Sequence, residues 1–142
     1  MTTSLRLVVA LAGLAFAACG GNQSSSAPTS PSSPTSGSHN AGANCLNCHS
    51  FTFAGTAYKP DGSTYPGAVV KLTSAPGGAG TTLATVTADA SGNFHTTTAV
   101  SFGAGVYATA TGTGGASRPM TAATTSGACN SCHTSGNRIV VQ

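Results

Sequence analysis

Two short stretches carry most of the reactive chemistry in this 142-residue chain. Cys45-Leu46-Asn47-Cys48-His49 and Cys129-Asn130-Ser131-Cys132-His133 share one frame, C-x-x-C-H. Two thiols held two residues apart and followed at once by an imidazole form the attachment pattern of c-type haem. The sulfurs add to the two vinyl groups at one edge of the porphyrin, and the adjoining His binds the iron from the proximal face. The expected cofactors are therefore two covalently bound haems. Cys45, Cys48, Cys129 and Cys132 would be their attachment points, and His49 and His133 their proximal iron ligands. One zinc site built from the same residues is a rival reading. Eighty residues separate Cys48 from Cys129, which is long for a zinc ribbon, and zinc gives no reason for His to follow the second Cys twice. Oxidation of each pair to a disulfide is the other rival, because exported thiols oxidise.

Each iron has a second axial position, and three residues are candidates for the two distal places. His39 stands six residues before Cys45, where it is either a solvated linker residue or a ligand looping over one of the haems. His95 follows Phe94. If Phe94 points into a core, His95 points out, and it becomes a ligand only where a haem packs on that face. Met120 is either core filler or a sixth ligand, and thioether ligation raises a haem's reduction potential above that of a bis-imidazole site. The sequence leaves open which of the three serves which haem.

Other chemistries find little material. The chain has five Lys and Arg, two acidic residues, no Trp and a net charge of +3. Asp61 and Asp89 are its only carboxylates, so a hydrolase built on a carboxylate pair is close to excluded. No cluster of Lys or Arg is present to neutralise phosphates, which argues against a nucleic-acid partner. A peroxidase needs an open iron and polar distal groups, and the only arginines within reach of a motif are Arg118 and Arg138. An electron carrier rather than an enzyme is expected. A non-redox cell-surface module, its Cys pairs holding zinc or disulfides, is the alternative.

The segments that position this chemistry begin with an address. Arg6 precedes twelve uncharged, mostly apolar residues, Leu7 to Ala18, so residues 1–18 read as a signal peptide, too short to span a bilayer. Phe16-Ala17-Ala18-Cys19-Gly20 resembles the lipobox of bacterial lipoproteins, with Phe16 where Leu is usual. That resemblance implies a lipidated Cys19, anchoring in the outer membrane, and a Gly20 compatible with that sorting. Residues 19–38 are rich in Ser, Pro, Gly and Thr and carry neither charge nor a large apolar side chain, so they read as a flexible tether. Residues 39–142 are expected to form one folded domain.

Ala, Gly, Ser and Thr make up more than half the chain. The stretch between the motifs alternates small or apolar residues with Thr and is broken by Gly and Pro turns. Strands are expected over 51–58, 67–73, 83–88, 94–100, 105–111 and 138–141. In the second, Ala68, Val70 and Leu72 share one face; the inward face of the fifth is either Val106/Ala108/Ala110 or Tyr107/Thr109/Thr111. Phe53-Ala54-Gly55-Thr56-Ala57-Tyr58, Asp61-Gly62, Pro66-Gly67-Ala68-Val69-Val70-Lys71-Leu72, Ala88-Asp89-Ala90-Ser91-Gly92-Asn93-Phe94 and Gly105-Val106-Tyr107 together resemble the carboxypeptidase regulatory-like domain. The resemblance covers about half the chain and implies a non-catalytic, all-β, antiparallel sandwich of Ig-like or transthyretin-like type. Two short haem-binding segments would flank it. The expected whole resembles a small dihaem c-type cytochrome lipoprotein. Its partners would be other redox proteins or an extracellular electron acceptor, and the membrane through the anchor, with self-association left open. The apolar core is sparse for about 100 ordered residues, so haem is expected to complete it.

Overall fold

A strand half-buried in a sheet needs side chains that alternate between core and solvent, with residues tolerant of sharp turns at its ends. Residues 37–142, the part described by the computed structural model, form seven strands, some half-buried in this way and one buried along its whole length. The strands are β1 (Phe53–Tyr58), β2 (Val69–Thr73), β3 (Thr82–Thr87), β4 (Asn93–Thr96), β5 (Tyr107–Thr111), β6 (Ser117–Pro119) and β7 (Ile139–Val140). They form a three-stranded sheet in the order β4-β1-β7 and a four-stranded sheet in the order β3-β2-β5-β6. The chain is all-β, a sandwich of two sheets. The expected signal segment 1–18, the expected anchor Cys19 and residues 20–36 of the expected tether lie outside the described residues.

The core is what the two inner faces share. From the larger sheet come Val70 and Leu72 of β2, then Val106, Ala108 and Ala110; from the smaller come Phe53, Ala57, Phe94 and Val141. Val70 stands opposite Val86 and Ala110, and Leu72 opposite Ala84 and Ala108. The inward face of the fifth strand is thus Val106/Ala108/Ala110. Phe94 is fully buried and its neighbour His95 is exposed, as strand alternation requires.

Three features depart from the sequence reading. β4 ends at Thr96 instead of continuing to Val100. β6 is an additional edge strand, paired through Thr109–Pro119, Ala110–Arg118 and Thr111–Ser117; Pro119 is tolerated there because an edge strand has one side without a partner. The sandwich is also not antiparallel throughout. β7 runs parallel to β1, with Ala57 opposite Ile139 and Tyr58 opposite Val140, and an isolated parallel bridge joins Ala54 to Ala128. The chain passes along this edge of β1 at Ala128, leaves it, and returns in the same direction as β7. What it carries in the excursion is the second C-x-x-C-H.

Candidate functional site

The excursion would strand part of the β1 hydrogen-bond ladder. Ala54 N donates to Gly127 O at 2.9 Å before it, and Val141 N donates to Tyr58 O at 2.8 Å after it. Between these, Thr56 N faces the gap, and a buried amide without an acceptor is costly. Asn130, the first spacer residue of the second motif, fills the role. Its Oδ1 accepts from Thr56 N at 3.1 Å, while its Nδ2 donates to Thr56 Oγ1 at 3.0 Å and to Ala43 O at 2.8 Å. Ala43 lies just ahead of the first motif, so one side chain ties both motifs to β1.

The network continues on the other side of Thr56. Its hydroxyl donates to Asn93 Oδ1 at 2.5 Å and accepts from Gly42 N at 2.9 Å. Asn93 Nδ2 donates to Ser38 Oγ at 2.9 Å and to His39 O at 3.2 Å. The Asp89 carboxylate accepts from the backbone amides of Ser38 at 3.0 Å, Ser91 at 2.8 Å and Asn93 at 3.1 Å. Burial alone would lift the Asp89 carboxyl, but these donors outweigh it and hold its pKa below the ordinary value. Thr56, Asn93, Asn130 and Asp89 are all buried. A buried polar network of this kind rigidifies when every member is satisfied. It reaches Ser38, the last residue that the sequence assigns to the tether.

Two glycines admit the second motif to its place. A Cβ on Gly55 would meet Phe94 Cζ at 2.6 Å and Cys129 Cβ at 2.8 Å, and one on Gly127 would collide with the backbone of Thr52 and Phe53. The motif itself is one helical turn, α1 (Cys129–Cys132). Cys129, Cys132 and His133 line a cleft of about 620 Å³ together with Val70, Phe94, Ala108, Ala110, Met120 and Ile139. His133 Nδ1 lies 2.8 Å from Asn137 O. A carbonyl only accepts, so Nδ1 carries a proton, and in the neutral ring Nε2 is the nitrogen with the lone pair. Metal-ligating histidines are held in this way by a partner on their other nitrogen.

The first motif is a 3-10 turn over Cys45–Asn47, capped by Asn44 Oδ1, which accepts from Leu46 N at 3.2 Å. His49 stacks on Phe51 with ring centroids 4.9 Å apart, and Phe51 stacks on His95 at 4.3 Å. His39 lies tilted beside His49 at 5.7 Å. All three imidazoles are exposed. The fold therefore brings His39 and His95 to the first motif and Met120 to the second.

The motifs also meet each other. Burial pushes the Cys129 thiol up to about 12, and nearby Cys45 and Cys132 add to the effect. Burial likewise raises the Cys45 thiol. Cys45, Cys129 and Cys132 are free thiols, so neither C-x-x-C pair is closed on itself. Among the described residues, no three His, Cys or Asp side chains converge as a metal-ion site.

Asn130, Thr56, Asn93 and Phe51 were not among the residues singled out from the sequence. A spacer Asn, a strand Thr and a turn Asn carry no local mark of partners 37 to 87 positions away. Phe51 had a weak mark, one aromatic two residues after His49. Compared with family models, curated proteins and solved structures, the chain matches none of them.

Proposed function

We propose that this chain is an exported, lipid-anchored dihaem c-type cytochrome that transfers electrons, on a sandwich resembling the carboxypeptidase regulatory-like domain. The observation that carries the reading is the cleft of the second motif. Cys129, Cys132 and His133 of one C-x-x-C-H line a single space with apolar side chains around it, and the His133 ring is held by a backbone carbonyl. Its volume of about 620 Å³ falls in the range of cofactor pockets. These residues fit a haem.

Cys129 and Cys132 would hold the second haem, with His133 on its iron; Cys45, Cys48 and His49 would hold the first. At each attachment a thiol S–H adds across a vinyl C=C. Sulfur bonds to one carbon, hydrogen ends on the other, and nothing leaves. When bound, a c-type haem supplies an iron that takes up and gives up one electron. The chain's own contribution is to fix the two motifs on one strand, through Asn130 and Thr56. Its partners would be redox proteins or an extracellular acceptor, reached from a membrane anchor at Cys19. A haem stain of the exported protein after denaturing electrophoresis tests the reading, because thioether-bound haem stays with the chain. Staining is expected; a band that does not stain contradicts it and favours the non-redox module.

A further inference from the structure

We infer that Met120 is the second axial ligand of the haem carried by Cys129, Cys132 and His133, and that the two haem sites are therefore unequal, the second having the higher reduction potential. The inference rests on the haem reading above and adds to it which residue completes which site.

The cleft lies where the sandwich is left open. β7 is an edge strand of the smaller sheet and β6 an edge strand of the larger. Both line the cleft, through Ile139 and Val140 on one side and Arg118 and Pro119 on the other. The inner face of β5 offers only Ala108 and Ala110 here, too small to fill the space between the sheets. His133 enters from the segment that leaves and rejoins β1. Met120 follows β6 directly, its N donating to Ala108 O at 2.7 Å, so it belongs to the opposite sheet. His133 and Met120 thus line one cleft from two different sheets, and would offer an imidazole and a thioether to one iron.

The charge of the cleft agrees with a haem. Arg118 and Arg138 both line it, and no carboxylate does. Arg138 is already held in place, its guanidinium 4.6 Å from the centre of the Tyr58 ring. An apolar slot with two cations and no anion suits a flat apolar ligand bearing carboxylates, and a haem has two propionates. Around the first motif the neighbouring rings are His39, Phe51 and His95. A site served by imidazole alone has a lower potential than one served by imidazole and thioether. An electron entering at the first haem would therefore come to rest on the second.

The test uses the exported holoprotein and Met120→Leu, which keeps the apolar volume and removes the sulfur. The wild type is expected to carry two haems by mass and to show the far-red thioether-to-iron band in the ferric state, with two separate steps in a redox titration. In Met120→Leu the band is expected to vanish, carbon monoxide binding to the reduced protein to rise from none to one haem per chain, and the upper redox step to move down. Met120→His should restore a closed iron without restoring the band. A two-haem chain that lacks the band, or a Met120→Leu protein with unchanged spectrum and no carbon monoxide binding, overturns the ligand assignment alone. A chain that carries no haem overturns the cytochrome reading with it.

Discussion

At the scale of single residues, Asn130 substitutes for a missing strand. Its side chain takes the ladder bond of Thr56 N and holds the carbonyl of Ala43. Asn130→Ala would leave the buried Thr56 N without a partner, at about 1–3 kcal/mol. Denaturant unfolding is expected to show a loss in that range, and an unchanged midpoint would contradict the role. Asp89 acts on the same network through its charge. Its folded pKa lies below the unfolded value, so the stability it lends is fully present above the ordinary carboxylate range. That stability is lost as pH falls through the depressed value. The acid limb of a stability–pH curve should therefore flatten in Asp89→Asn, and superimposable limbs would count against the assignment. Cys129 and Cys132 should differ as thiols in haem-free chain. Cys129 is held protonated by burial, up to about 12, while Cys132 is exposed. Alkylation at pH 8 followed by peptide mapping should find Cys132 modified first, since the thiolate is the reactive form; the reverse order would be inconsistent with the packing at Gly55.

At the scale of elements, period and turn chemistry made much of the sandwich legible. Ala68, Val70 and Leu72 alternate as a buried face should, and Phe94 and His95 divide between core and surface as a strand dictates. β6 was not legible because Ser117, Arg118 and Pro119 are exposed and offer no apolar period; β5 creates that strand by pairing with it. The parallel entry of β7 was hidden for a similar reason. Two paired residues fix its direction, and the bond that makes the excursion tolerable comes from a side chain. The two C-x-x-C-H frames were plain, since their chemistry is local. The surroundings of His39, His95 and Met120 were not, because proximity across a sandwich is a long-range property. Gly55 belongs to this scale. It lets α1 pack against β1, and Gly55→Ala would force Phe94 and Cys129 apart. Overpacking of this kind costs about 1–3 kcal/mol, expected as a lowered melting temperature, and a full-stability Gly55→Ala protein would show that the contact yields freely.

At the scale of the whole molecule, both motifs are carried by one sheet. The first passes beside Thr56 and the second leaves and rejoins the edge of β1, so that Asn130 of the second motif bonds Ala43 beside the first, 87 positions away in the sequence. The core between the sheets relies on Ala57, Ala68, Ala88, Ala108 and Ala110, and the open side between β6 and β7 offers a further apolar surface to a cofactor. Haem is expected to add stability by filling it. A Cys→Ser chain without haem should melt earlier and less cooperatively than the holoprotein, and equal melting would remove cofactor packing from the account. Intact-mass measurement on chain recovered from its native compartment bears on the central claim most directly. The polypeptide should be heavier by two whole haems, with a Soret band that stays with it through denaturation; an unmodified chain with no Soret absorbance would contradict the account.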